Sequence, residues 1–179
     1  GNGITNFGSS AFSGCTSLKS VAIPNGVTSI GDNAFNSCTS LTSVTLGSSV
    51  TSIGSGAFYY CTALTNFSVN VANAVYSSLN GVLFNKAQTI LIQFPAGRGG
   101  SYVIPSSVIS IAASAFQNCA NLTGVAIPNS VTAIEAKTLA HHNVRRIGVD
   151  VSAEAWGESG KSASAPAAAP KAGGGGGNG

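Results

Sequence analysis

Every 23 residues this chain repeats an Ala-Phe pair followed three residues later by cysteine. The copies are Ala11-Phe12 with Cys15, Ala34-Phe35 with Cys38, Ala57-Phe58 with Cys61 and, after a longer interval, Ala115-Phe116 with Cys119. A period of this length marks a solenoid, because one such coil is too small to enclose a core and must share one with its neighbours. The four phenylalanines are therefore expected to form a single column.

Within a copy, Leu18-Lys19-Ser20-Val21-Ala22-Ile23 places aliphatic residues two apart towards its end, as a strand with one buried face requires. Pro24, Pro105 and Pro128 end this first strand, since proline has no ladder donor, and Asn-Gly or Ser-Ser then turns the chain. Val27-Thr28-Ser29-Ile30 reads as a second short extended piece. In Ala34-Phe35-x-x-Cys38 the spacings of three and four predict a single helical turn at the outer corner of the coil. The predicted fold is thus a mostly-β repeat solenoid, with one parallel strand per coil, short second strands and single helical turns.

One coil is long. Phe58 and Phe116 are 58 residues apart, one regular period and one of 35, which places a 35-residue coil at about 64–98. Inside it, Val82-Leu83-Phe84 and Ile90-Leu91-Ile92 flank the polar centre Asn85-Lys86-Ala87-Gln88 and predict a β-hairpin standing on or flanking the solenoid. Asn80-Gly81 before it and the Pro95–Gly100 stretch after it supply turns.

The string Ile-Pro-x-x-Val-Thr-x-Ile-x-x-x-Ala-Phe-x-x-Cys-x-x-Leu-x-x-Val, with the stretch from Tyr76 to Asn85 and the later Ile90-Leu91-Ile92-Gln93-Phe94-Pro95-Ala96-Gly97, resembles the BspA-type leucine-rich repeats. The resemblance runs from residue 1 to about residue 150. It implies a leucine-rich-repeat solenoid of a cell-surface or secreted protein of bacteria or parasitic protists, linked to adhesion to host proteins or other cells. It implies no catalytic residue, and no binding residue carries over by name.

The last copy departs from the pattern, with Thr138-Leu139-Ala140-His141-His142 in place of the Ala-Phe-x-x-Cys block. Polar terminal repeats are expected where nothing covers them, and Arg145 and Arg146 fit a degenerate cap at about 135–151. The solenoid is therefore expected to span 1–151, with 152–179, rich in Ala, Ser, Pro and Gly, as a disordered linker or tail. Gly1–Phe7 enters in mid-repeat and the chain holds no methionine, so a piece of a longer chain is expected.

Only 7% of residues are charged and 44% are hydrophobic, leaving Ser, Thr, Asn and Gly to fill the polar positions. The net charge of +3 is spread thinly, without the basic stripe and stacking aromatics of a nucleic-acid interface. No run of 18 apolar residues is present, so no membrane span is expected. Equivalent cysteines lie about 4.8 Å apart in a stack, but parallel side chains suit a bridge poorly. A row of reduced, buried thiols is expected, ahead of a Cys15–Cys38 disulfide or a zinc site. His141 and His142, beside Glu135, Lys137 and Asp150, are read as end-coil residues with no metal or acid-base role. No Gly-x-Ser-x-Gly elbow or Gly-x-Gly-x-x-Gly strand-to-helix loop occurs, so neither enzyme activity nor a cofactor is expected. The sequons at Asn66 and Asn121 arise readily in a chain of this composition.

What remains is a surface. With Leu, Val and Ile pointing inward, Ser20, Ala22, Ser43, Thr45, Asn66, Ser68, Gly124 and Ala126 are expected to face outward on the main sheet as a flat lattice of small groups. The hairpin region, with Tyr76, Phe84, Lys86 and Phe94, is the irregular element, and such insertions carry contacts on repeat scaffolds; its aromatics also serve to cover a core. The candidate binding face is accordingly Ser20, Ser43, Thr45, Asn66, Ser68, Tyr76 and Lys86. The expected partner is a protein, of host or neighbouring-cell origin, with a glycan as the lesser option and a spacer role as the alternative.

Overall fold

The computed structural model describes residues 3–135 and the backbone of residues 145–147. The expected tail at 152–179, and all of the cap except Glu135 and the 145–147 backbone, lie outside the described residues, as do the side chains of His141, His142, Arg145 and Arg146.

The chain winds as a stack of parallel strands. Each winding contributes one main strand, one short second strand and an outer corner. The main strands β2 (Ser20–Ala22), β4 (Ser43–Leu46) and β6 (Asn66–Val69) pair in parallel at a strict 23-residue offset, Ser20 on Ser43 on Asn66. The second strands β1 (Asn6–Phe7), β3 (Ser29–Ile30) and β5 (Ser52–Ile53) do the same, Phe7 on Ile30 on Ile53. A later set repeats the arrangement: main strands β10 (Gly100–Val103), β12 (Leu122–Ala126) and β14 (Arg145–Ile147), and second strands β9 (Ile90–Gln93), β11 (Ser110–Ile111) and β13 (Ala133–Ile134).

Proline closes the main strand as its chemistry demands. The Pro24 carbonyl accepts from Val27 N–H at 3.1 Å, a tight turn repeated at Pro105 to Val108 and Pro128 to Val131.

The outer corner is not the helical turn that the spacing predicts; no helix occurs among the described residues. Ala34 N–H bonds to Gly31 O, Asn36 to Asn33 and Cys38 to Phe35, each spanning three residues. Asn33 and Ser37 are left-handed, with φ of 54° and 59°, and Ser10, Ser114 and Asn118 repeat the pattern. This conformation frees every second N–H to point along the stack. Asn33, Phe35 and Ser37 donate to Ser55, Ala57 and Tyr59 of the next winding at 2.8–2.9 Å. A helix would have spent those donors internally. Inter-winding hydrogen bonding therefore continues around the corner as well as through the strands.

The insertion is not an appendage. β8 (Val82–Asn85) pairs antiparallel with β9, and a further strand beyond the expected hairpin, β7 (Tyr76–Leu79), pairs antiparallel with β8 through the Asn80-Gly81 turn. β8 is buried on both faces: Val82, Leu83 and Phe84 expose nothing. Leu83 packs into the core built from residues between Ile23 and Phe67, whereas Val82 and Phe84 pack into the one running from Leu91 to Val131. The pair β7–β8 is a septum across the solenoid. It explains why β6 does not pair with β10, nor β5 with β9. At the first break Phe67 N–H bonds to Gly81 O and Gly97 N–H to Leu64 O; at the second the Tyr76 hydroxyl reaches Thr51 O at 3.5 Å.

Asn73, the one buried polar side chain among the described residues, fixes the approach to this septum. Its Nδ2 donates to Gly47 O and Val50 O, and its Oδ1 accepts from Val75 N–H and Tyr76 N–H, all within 3.0 Å. Sequence offers no sign of this, since Asn is common throughout the chain.

Leu83→Ala is expected to cost about 2–5 kcal/mol in urea unfolding and, in hydrogen exchange, to accelerate amides between residues 23 and 67; Phe84→Ala should accelerate those between 91 and 131. Equal acceleration on both sides by both variants would mean one undivided core. Asn73→Ala, which strands two acceptors and two donors, should lose at least about 2 kcal/mol by the same measure.

Candidate functional site

The solenoid's interior is organised in rows. Phe12 and Phe35 stack with ring centres 5.1 Å apart and 4° between planes, and Phe35 and Phe58 at 5.5 Å and 5°. The column continues on the far side of the septum with Phe94 and Phe116 at 5.4 Å. Phe94, grouped with the hairpin by the sequence reading, is thus the long winding's corner phenylalanine: its N–H donates to Ala115 O as Phe12 donates to Ala34 O. A fixed spacing could not reveal this. Three residues separate Leu91 from Phe94, where five separate the equivalent Ile53 from Phe58.

The cysteines are all reduced, and Cys38, Cys61 and Cys119 are fully buried, while Cys15 on the first winding is exposed. They do more than fill a row. Cys38 Sγ donates to Phe12 O at 3.2 Å and Cys61 Sγ to Phe35 O at 3.1 Å, so each thiol ties its corner to the winding before it. Burial pushes the Cys61 and Cys119 thiols up to about 12. A buried thiol that holds its proton this firmly serves as a hydrogen-bond donor and fills space.

On the outer face of the main sheet, Ser20, Ser43 and Asn66 form one row across β2, β4 and β6, and Ala22, Thr45 and Ser68 a second. Ser20, Thr45, Asn66 and Ser68 are exposed and Ser43 is partly so, while Val21, Val44 and Phe67 between the rows point inward. Neighbouring threonines are already engaged by the stack: Thr42 Oγ1 donates to Lys19 O at 2.9 Å and Thr65 Oγ1 to Thr42 O at 3.2 Å. Among the described residues no side-chain hydrogen bond engages Ser20, Ser43, Thr45 or Ser68, which leaves their hydroxyls open to a partner.

The lattice does not run the length of the molecule. Gly124 is buried and Ala126 half-buried, against the expectation that both face outward, because residues with little or no side chain cannot project past the paired neighbours Ser101 and Val103. Between β6 and β10 the Asn80-Gly81 turn fills the surface, held by Arg98, whose guanidinium donates to Asn80 O. Tyr76 and Lys86 stand elsewhere: Tyr76 is half-buried against the edge of β5, and Lys86 Nζ donates to Val71 O at 2.8 Å. The candidate residues therefore divide into a coherent face of five and two side chains tied to the insertion.

A cleft of about 310 Å³ opens where the second strands are interrupted. Its walls are the corners of two windings, Gly54–Gly56 with Tyr59 on one side and Ala112–Ser114 on the other, with Ile92 and Gln93 between them and Tyr76 and Glu135 at its margins.

A parallel stack with a phenylalanine column and an exposed polar sheet defines a solenoid repeat protein. The chain belongs to the BspA-type leucine-rich repeat family, whose model matches residues 1–97 and 100–159 in 6 copies. Among solved structures, a leucine-rich cell-surface protein of Faecalibacterium prausnitzii is similar at 32% identity and a TM-score of 0.71, over 83% of this chain and 40% of that one. A leucine-rich-repeat protein of T. pallidum matches at 26% identity and a TM-score of 0.50, over 81% of this chain and 63% of the other. The pneumococcal vaccine antigen PcpA, at 24% identity and a TM-score of 0.56 over 68% of this chain and 38% of its own, shares the fold. The chain thus spans less than two thirds of the length of each. No curated protein matches it. Among the described residues no helix is long and apolar enough to cross a membrane.

Native protein treated with a maleimide near neutral pH is expected to label at Cys15 alone, read by mass spectrometry. Because folding raises the Cys61 and Cys119 thiols from 9.0 to about 12, the folded state holds their protons more tightly than the unfolded one. Their contribution is complete below pH 9 and falls as pH climbs towards 12. A Cys61→Ala, Cys119→Ala double variant should show a flatter loss of stability across that window in urea titrations.

Proposed function

We propose that this chain is a non-enzymatic protein-interaction module, of adhesive type, in a cell-surface or secreted protein. It meets its partner through the main-sheet face of Ser20, Ser43, Thr45, Asn66 and Ser68. The observation that carries the reading is the pair of aligned rows of small side chains, in which the exposed Ser20, Thr45, Asn66 and Ser68 and the partly exposed Ser43 are carried by paired strands and left open while adjacent threonines are consumed by the stack. Rigidity matters because short side chains on a fixed sheet lose little entropy when bound. Many modest hydrogen bonds over such a face give specificity without charge. The location is supported by the family and by the F. prausnitzii cell-surface relative. Tyr76 and Lys86 support the insertion in this reading, and any contact they make with a partner is secondary.

A spacer role, projecting other domains, is the second reading, favoured by the many hydroxyls spent inside the stack. An array of surface proteins and glycans separates the two. The expected result is a protein hit that weakens at least 10-fold in a Thr45→Arg, Ser68→Arg variant of unchanged circular dichroism. A hit on a glycan alone would reassign the face, and silence across the array would favour the spacer.

A further inference from the structure

The cleft between the two corners is the place of a missing piece of main chain. In the regular windings, the residues between second strand and corner phenylalanine bond up and down the stack: Ser10 N–H donates to Asp32 O and Asn33 N–H to Ser55 O, both at 2.9 Å. The next donor in this series is Gly56 N–H, and the next acceptor beyond the long winding is Ala113 O. Between them the long winding is two residues short, running from Leu91 to Phe94 in three steps instead of five. Neither Gly56 N–H nor Ala113 O has a hydrogen-bond partner among the described residues, and both residues line the cleft.

The long winding crosses between these two walls through Ile92 and Gln93, and the cleft of about 310 Å³ lies where its two missing residues would run. What is missing there is a short piece of extended chain, the unit that fills the same place in the regular windings. One wall carries an unpaired N–H and the other an unpaired C=O, the complements of the C=O and N–H that a single strand offers its two neighbours. Tyr59 and Tyr76 add aromatic surface at one side, and Gln93 and Ser114 add side-chain polar groups.

We propose that this notch binds a short extended polypeptide segment of a partner protein, which completes the stack by accepting from Gly56 N–H and donating to Ala113 O. Main-chain addition of this kind draws affinity from backbone hydrogen bonds and selectivity from the side-chain environment. The inference rests on the chain being a protein-interaction module but not on the main sheet being the surface used. A glycan hydroxyl array fits less well, because the two open groups are the halves of a peptide's own donor and acceptor pattern.

The probe is a capped peptide of the chain's own sequence from Ser29 to Ala34, which occupies this place in a regular winding. In an NMR titration of the whole chain, saturable shifts are expected at the Gly56, Tyr59 and Ser114 amides, with Ser43 and Thr45 unmoved. Ala113→Trp, an exposed position on the cleft wall, should weaken binding at least 10-fold without changing the far-ultraviolet dichroism. Independently, Gly56 N–H should exchange at least 10-fold faster than its equivalent Asn33. Slow Gly56 exchange, no saturable shift at millimolar peptide, shifts confined to the first winding, or an equal response to a chito-oligosaccharide would each overturn the proposal. Shifts at Ser43 and Thr45 alone would leave the main-sheet reading standing while removing this one.

Discussion

The structure depends on main-chain hydrogen bonds that run from winding to winding around the perimeter of the regular windings, through strands and corners alike. In strands this is ordinary pairing; at the corners it requires the backbone to abandon helical geometry. Two left-handed residues per corner cost on the order of 1–2 kcal/mol each relative to right-handed backbone, and they persist because the windings above and below fix them. Close approach follows from the same constraint. A Cβ on Gly31 would stand 2.6 Å from the Ser9 nitrogen, so the corner admits only glycine where neighbouring backbones pass this near. The side chains then reinforce the axis: phenylalanine rings stack along it, and thiols and threonine hydroxyls reach back one winding to a carbonyl.

Much of this was legible because the repeat is strict. Once Ala34-Phe35 and Ala57-Phe58 stand 23 residues apart, stacking is dictated by the inability of either to bury its ring alone. Alternation likewise placed Val44 inward and Thr45 outward. Legibility failed where geometry and period part company. Ala, Phe and Cys share a side in a helical turn and also in a pair of three-residue turns, so spacing could not choose between them; the inter-winding donors did. Phe94 was hidden because its corner lost residues while its winding gained a hairpin. β7 was hidden because Tyr76-Ser77-Ser78-Leu79 is half-buried throughout and shows no alternation. Asn73 was hidden because two of its four bonds reach Gly47 and Val50, which only the fold brings beside it.

The candidate face shows the same division. Its five coherent members sit where side chains alternate on uninterrupted parallel strands, a pattern written directly in the sequence. Tyr76 and Lys86 were drawn from the irregular element on the ground that irregularity carries contacts. Here the irregular element is mostly occupied in closing gaps that it creates: Tyr76 covers the exposed edge of β5, and Lys86 secures the Val71 loop. Insertion into a stack exposes unpaired edges on both sides, and the inserted residues are first of all the cover for those edges.

The septum has a mechanical meaning. Both parallel sheets stop at it, so load applied along the axis passes from one half to the other through a single buried strand, a few side-chain contacts and bonds such as Phe67 to Gly81 and Gly97 to Leu64. A rod built of one continuous ladder resists bending equally along its length. This one has a joint at β8, where the continuous ladder gives way to packing and a few backbone bonds.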